Sequence, residues 1–434
     1  MKKILFLATC AVALTAFTGC TNDEDLSRVD PAVPAKGTPM TVTVTDGSGD
    51  VTRYTNTTTS NIAYFQMWAY NTTNTTEPAN LSDALLMNNL GFSQTGSNGK
   101  FTNGDAHWPA TNTNPCFFYA VSENVNNGTD KFSVGSGNFE ASGYGTNFAP
   151  TLKYSLPTTT GTVALPTGNA SIAATETTVV DLSEETGVKD FLVCTNKGDN
   201  GNGITEATNG SNLSMAFDHA LADLEIAARL TSYEWVGGTV AEGGHRETCD
   251  VGDDAKIHIN YIAIHGLFAT GKYNFNTKEW TDLGGTSLTR TVYLYHPTTP
   301  ITVNAQDAIV YTNPENVETG TGAANIKRTT IVPAGKLLII PQTVTPWNKV
   351  LDIEGNEAEE TAYIELNCSF EDFSGVEGLD DLVDDEEGSY TFYFPLEITN
   401  DTFVGGRKHK LLLNLNRICY ADGAYALETI LPDA

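Results

Sequence analysis

The chain is 434 residues long, enough for two domains with cores of ordinary size. It carries 53 acidic against 24 basic side chains, a formal net charge of −29. Such a surface repels nucleic acid and anionic lipid, so neither is expected as a partner, and the charge reads as solubility of an exposed surface.

Lys2 and Lys3 precede an apolar run from Ile4 to Phe17. The run is too short for a comfortable membrane span and reads as an export signal. It closes at Thr18-Gly19-Cys20. A Cys after a small residue at this place resembles the bacterial lipobox, in which the Cys is diacylated and becomes the new N-terminus; Phe17 stands where Leu is usual. The acidic run Asn22-Asp23-Glu24-Asp25 follows at once and resembles the surface-export signal of Bacteroides-type lipoproteins. Residues 1–19 are therefore expected to be a signal peptide. Cys20 is expected to carry lipid, tying the chain to a membrane without spanning it. After the spacer Asp30-Pro31-Ala32-Val33-Pro34 comes Met40-Thr41-Val42-Thr43-Val44-Thr45, a short strand with Met40, Val42 and Val44 on one face. Burying three such side chains contributes roughly 5–9 kcal/mol. A whole domain is stable by only about 5–15 kcal/mol, so a domain that lost this strand would need another in its place. Arg53 ends the arm, ahead of a Thr-rich loop.

Beyond the arm, Ile62–Tyr70 is a strand apolar on both faces, expected to be central and covered on both sides. Leu81–Leu90 reads as a short helix with Ser82 or Asp83 near its cap. Trp108-Pro109 precedes a buried strand at Cys116–Val121, and Phe191–Cys194 closes the first half. The run Gly198–Gly203 is a linker or an exposed turn. Leu213, Met215 and Phe217 alternate with small or polar residues, giving one core face. Strands follow at Ile257–Phe268 and from Gly271, then a continuous apolar run at Leu337–Ile340 ended by Pro341. Tyr363–Cys368, Tyr390–Ile398 and Lys410–Ile418 alternate, with the acidic run Asp380–Glu387 as a loop between them. Short alternating segments between turn signals, with little helical periodicity, make an all-β chain of sandwiches. The expected division is an arm at 20–53, one β-sandwich at 54–208 and a second at 209–434.

These fragments, in this order and spacing, line up with a known family. They are Phe65–Tyr70, Trp108-Pro109, Asp190–Val193, Phe217–Leu221, Ile257–Tyr273, Leu338–Gln342 and the stretch from His409 onward. Over nearly the whole mature chain they resemble the fimbrillin family of Bacteroidales, the subunits of protease-assembled pili. The resemblance implies two tandem transthyretin-like β-sandwich domains after a lipoprotein signal peptide. It implies an outer-membrane precursor acylated at Cys20 (palmitate among the acyl chains), cut by a trypsin-like protease after an arm Arg. The first strand then leaves, and a strand from a neighbouring subunit fills the vacated groove. Carried onto this chain, Arg53 is the processing site, with Arg28, which lies before the strand, as the alternative. Met40, Val42 and Val44 belong to the detachable strand. The implied partners are other pilus subunits, the outer membrane through the anchor before processing, and a host or bacterial surface ligand; the processed protein resides in the fimbrium. Shaft subunits of the family carry a longer C-terminal extension that donates the strand. Here only Leu427, Thr429 and Leu431 offer one further strand, so a tip, accessory or anchoring place is as open as the shaft. The competing reading is a monomeric surface lipoprotein that binds glycan or host protein with its arm in place.

Signatures of chemistry are missing from the sequence: there is no G-x-S-x-G elbow, no Walker-type loop and no H-E-x-x-H. No enzymatic activity, cofactor or metal is expected. Of seven cysteines, Cys10 leaves with the signal and Cys20 is used by lipid. Cys116, Cys194, Cys249, Cys368 and Cys419 lie far apart with no C-x-x-C, so buried free thiols are expected, one or two disulfides remaining open in an exported protein. His258 and His265 are an odd number of residues apart on one strand and should face opposite ways, unable to chelate together. His219 reads as a hydrogen-bonded core or edge residue, Asp46–Asp50 as a tight turn rather than a calcium loop, and Trp235 and Trp347 as core rather than sugar-binding.

Overall fold

The computed structural model describes residues 36–46, 62–71, 85–95, 100–110, 114–123, 138–142, 149–158, 163–164, 171–172, 179–182, 190–231, 233–236, 245–248, 255–285, 291–306, 329–346, 362–372 and 389–415. They are nearly all strand. In the first half these are β1 (Lys36–Asp46), β2 (Tyr64–Asn71), β3 (Leu85–Gln94), β4 (Lys100–Pro109), β5 (Cys116–Glu123), β6 (Phe139–Glu140), β7 (Thr151–Ser155), β8 (Val163–Ala164), β9 (Ser171–Ile172), β10 (Val179–Asp181) and β11 (Phe191–Asn196). One helical turn, α1 (Glu206–Asn209), then leads into β12 (Asn212–His219). The remainder is β13 (Ala222–Thr231), β14 (Tyr233–Val236), β15 (His245–Thr248), β16 (Lys256–Leu267), β17 (Thr270–Asn274), β18 (Glu279–Thr281), β19 (Thr291–Tyr295), β20 (Ile301–Gln306), β21 (Thr329–Val332), β22 (Leu338–Ile339), β23 (Tyr363–Glu371), β24 (Tyr390–Pro395) and β25 (Lys408–Asn414).

Seven strands close into a barrel in the order β1-β12-β11-β5-β2-β3-β4. Alternation fills it: along β12, Leu213, Met215 and Phe217 are buried while Ser214 and Ala216 are exposed. Phe65 stacks on Phe92 at 5.0 Å and meets Phe217 at 5.5 Å in the barrel interior. The turn Gly198–Gly203 joins β11 to β12 inside this barrel, with positive φ at Gly198, Gly201 and Gly203. The expected division at 208/209 therefore falls within the barrel, which runs on through His219.

The two halves are also joined by a shared sheet, β18-β17-β7-β6. Its centre is the antiparallel pair β7 and β17, from Thr151↔Asn274 to Ser155↔Thr270. One face lies on the outside of β2, β5 and β11: Trp68 stacks on Phe139 at 4.6 Å, Tyr154 on Phe191 at 4.1 Å, and Tyr119 meets Phe275 at 5.5 Å. Hence β2 is buried on both faces as its sequence required. Phe65, Met67 and Ala69 point into the barrel, and Trp68 and Tyr70 point into a second core built from both halves.

A ten-stranded sheet makes up most of the second half, with β16 paired to β19, β20 and β23, and β13 paired to β20, β21, β22 and β25. Two shorter pairs, β8-β9 and β14-β15, stand apart from it.

Two expectations are corrected by β-bulges. The residues read as a helix at Leu81–Leu90 form β3 wherever they are described, from Leu85 onward. Met67 pairs with Leu90 but Ala69 with Met87, so Asn88 and Asn89 together face one position of β2. Asn89 takes a left-handed φ of 53°, and its Oδ1 accepts from Gln66 Nε2 at 2.6 Å. The second bulge is at Asn260, between the pairs Ile259↔Cys368 and Tyr261↔Asn367. It flips the alternation of β16, so Ile257, Ile259, Ile262 and Ile264 all reach the same core. His258 and His265 consequently share the opposite face instead of lying on different ones. They still do not meet: His258 Nε2 lies 2.8 Å from Glu371 Oε2, and His265 Nε2 lies 2.8 Å from Glu365 Oε2. Burial raises the Glu365 carboxyl, but its hydrogen bonds from His265 and Tyr261 outweigh this and hold it below the usual value.

Candidate functional site

The arm strand and its seat form the candidate site. β1 lies between β12, to which it is parallel, and β4, to which it is antiparallel. Among the described residues it makes the one parallel pairing in the barrel; the other neighbours are all antiparallel. The parallel ladder runs from Thr41↔Asn212 to Asp46↔Phe217, and the antiparallel one from Lys36↔Pro109 to Thr43↔Lys100. The first half of β1 thus leans on β4 alone, residues 41–43 on both neighbours, and 44–46 on β12 alone. Thr41 N donates to Ser211 O at 3.0 Å, and Thr43 Oγ1 donates to Asn212 Oδ1 at 2.9 Å.

Of the three apolar residues read from the sequence, Met40 and Val42 are fully buried in the barrel, and Val44 is half-buried against the same cluster. At about 1.5–3 kcal/mol per fully buried side chain, the two contribute roughly 3–6 kcal/mol.

Two further residues of β1 shape the seat and went unread in the sequence. Gly37 passes so close to the end of β4 that a Cβ there would lie 2.4 Å from the Trp108 carbonyl oxygen and 2.9 Å from that of Pro109. Pro39 offers no N–H, and the ladder with β4 shifts register on either side of it. A Gly and a Pro inside a strand pattern are the signal that would have marked them. Cys20, Arg28 and Arg53 lie outside the described residues, as do the acidic run at 380–387, Trp347, Cys249 and Cys419.

Below the seat, the fragments Asp190–Val193 and Phe217–Leu221 meet. Asp190 Oδ2 lies 2.5 Å from His219 Nδ1 with both side chains nearly buried, and Ala220 N donates to Phe191 O at 2.9 Å. His219 is therefore a paired residue where the barrel passes into the second half. Cys116, Cys194 and Cys368 are buried thiols, with no disulfide between them. Burial pushes Cys116 up to about 12, against a hydrogen bond from Asn71, and raises Cys194 as well; thiols held protonated in this way are poor nucleophiles.

No family model matches the chain, and no curated protein matches it. Among solved structures, it is similar to a fimbrial protein from Bacteroides vulgatus, at 15% identity over 87% of this chain and 94% of that one, with a TM-score of 0.39. It is similar to a candidate cell-adhesion protein from Bacteroides uniformis, at 12% identity over 87% of this chain and 91% of that one, TM-score 0.35. A candidate cell-adhesion protein from Bacteroides eggerthii is 12% identical over 92% of this chain and 94% of that one, TM-score 0.35.

Proposed function

We propose that this chain is a surface-exported structural or accessory subunit of a pilus, a tip position included, with a role in adhesion. It would reach the outer membrane as a lipoprotein anchored at Cys20. Cutting after Arg53, with Arg28 as the alternative, would free β1, and a strand from another subunit would take its seat. The observation that carries this reading is the placement of β1. It is the first strand of the chain's described part, it is seated by the one parallel pairing among the barrel's described residues, and its loss would leave two open edges on β12 and β4. Open edges are what β-strand addition uses.

The test is to treat the unlipidated precursor with a trypsin-like protease and follow mass and size, alone and with candidate partner subunits. Cutting at Arg53 followed by oligomers supports the proposal, and Arg53→Ala should then block assembly. An arm that resists cutting, or cut protein that stays monomeric with every partner, overturns it. A second reading draws on the same geometry. Met40 and Val42 are buried inside a closed barrel, which suits an arm that stays in place on a monomeric lipoprotein binding glycan or host protein. In that case Arg53→Ala changes nothing.

A further inference from the structure

We infer that the β1 seat selects its incoming strand by a small-residue gate at the level of Gly37, followed by three apolar positions. This rests on the proposal that β1 is exchangeable, and it specifies the partner: an extended segment of a second polypeptide, running parallel to β12. The segment needs Gly at the gate and apolar side chains three, five and seven residues later, the spacing of Gly37, Met40, Val42 and Val44.

The gate is made of backbone. Its walls are the carbonyl oxygens of Trp108 and Pro109, 2.4 and 2.9 Å from where a Cβ would sit. A flexible side chain could swing aside, but these carbonyls belong to β4, and Trp108 itself is buried in the barrel core. Even Ala at this level forces a backbone shift. The next positions discriminate by burial. The Met40 and Val42 levels are dry, so a hydroxyl or charge there loses its water with nothing offered in return, whereas the half-buried Val44 level tolerates more. Between them, Pro39 makes the β4 ladder shift register, so the incoming strand needs no N–H at that level.

The gate also excludes this chain's own C-terminal run. If Leu427, Thr429 and Leu431 are laid on the three apolar levels, Ala424 falls at the gate and the Thr429 hydroxyl at the Val42 level. If Gly423 is laid at the gate, Glu428 falls at the Val42 level. In neither register does the run 423–431 fit the seat of a second copy, so this run is not the strand the seat accepts.

The experiment uses the full mature chain with a specific protease site placed at residues 50–53. After cutting, the protein is exchanged against an excess of labelled peptide of residues 35–46, and uptake is read by fluorescence anisotropy and native mass. The wild-type peptide and a Thr38→Ala control, altered at an exposed position, should be taken up equally. Peptides carrying Gly37→Ala or Gly37→Val, and a peptide of residues 421–432, should bind at least about tenfold more weakly. Uptake of Gly37→Val as strongly as wild type overturns the gate while leaving exchange intact. Failure to take up the wild-type peptide at all overturns the exchange reading on which the gate rests.

Discussion

β12 and β13 follow one another with only Ala220 and Leu221 between them, and each carries a parallel partner from a distant part of the chain: β1 on β12, β25 on β13. The two partners are built differently. β1 lies between two neighbours and closes a barrel, while β25 pairs, among the described residues, with β13 alone. β1 places two fully buried side chains in a core that belongs to the barrel only. β25 and the residue after it place Leu411, Leu413 and Leu415 in the large core shared by both halves. Side chains tie β25 as well: Lys408 lies 3.3 Å from Glu225, and the His409 ring nitrogen accepts from Val404 N at 3.1 Å. A strand over a private core can leave at the expense of one barrel. A strand over a shared core cannot leave without disturbing the whole molecule. The difference suits the proposed exchange of β1 and a fixed β25.

The largest effect should come from removing residues 36–46. The barrel then loses its two buried anchors and both ladders, an amount comparable with the roughly 5–15 kcal/mol of a whole domain. Hydrogen exchange should show protection lost along β4, β11 and β12 while β16 and β23 stay protected. Uniform loss across both halves would show that the barrel core is not private. The next comparison is between single residues. Leu413→Ala should cost about 2–5 kcal/mol and lower the denaturant midpoint of both halves together. Val42→Ala, which removes two methyl groups, should cost about 1.5–3 kcal/mol and weaken the barrel first.

The bulge in β3 gives a smaller test. Asn89→Ala puts a residue that resists positive φ at 53° and removes the acceptor for Gln66. A loss of about 1–2 kcal/mol is expected, with Asn89→Gly recovering part of it because Gly supplies the backbone conformation without the hydrogen bond.

That bulge also shows what the sequence could reveal. Where alternation is regular, as at Leu213, Met215 and Phe217, or where a run is apolar on both faces, as at Phe65–Tyr70, strand and burial were legible. The reason is that side-chain direction follows strand period alone. Where an extra residue interrupts the period, the same logic misreads. Leu85, Leu86 and Leu90 take on helical spacing, and His258 and His265 fall on the wrong faces. A bulge is decided by the partner strand, and the partner is remote in sequence. The pairing of β7 with β17 was illegible for the same reason: nothing local to 151–155 names 270–274. In the candidate site, the apolar face of the arm strand could be read. Gly37 offers only a break in the strand pattern; what it meets could not be read, because that is set by two carbonyls on β4.

A further test distinguishes the two seats by pH. Asp223, at the start of β13, is fully buried, and its amide donates to Arg407 O at 2.9 Å where the chain enters β25. Its Oδ1 accepts from Gly335 N at 2.8 Å, while Oδ2 has no partner among the described residues. Burial pushes its carboxyl up from 3.8 to about 7, against the pull of the Gly335 hydrogen bond and the nearby Lys408, with Glu225 and Asp190 adding to the rise. A carboxyl whose folded value is raised binds its proton more tightly folded than unfolded. Its contribution to stability is therefore complete below about 3.8 and is lost as pH rises through about 7. Protection of the β13 amides, corrected for intrinsic exchange, should fall between pH 5 and pH 8. Asp223→Asn removes the charge but leaves an amide N–H without an acceptor, so at pH 8 the net gain should be modest, about 1–2 kcal/mol, and the pH dependence should flatten. The amides of β12 beside β1 should not follow this trend. If they do, and to the same extent, the two seats are coupled through Ala220-Leu221, and β1 cannot leave without loosening β25.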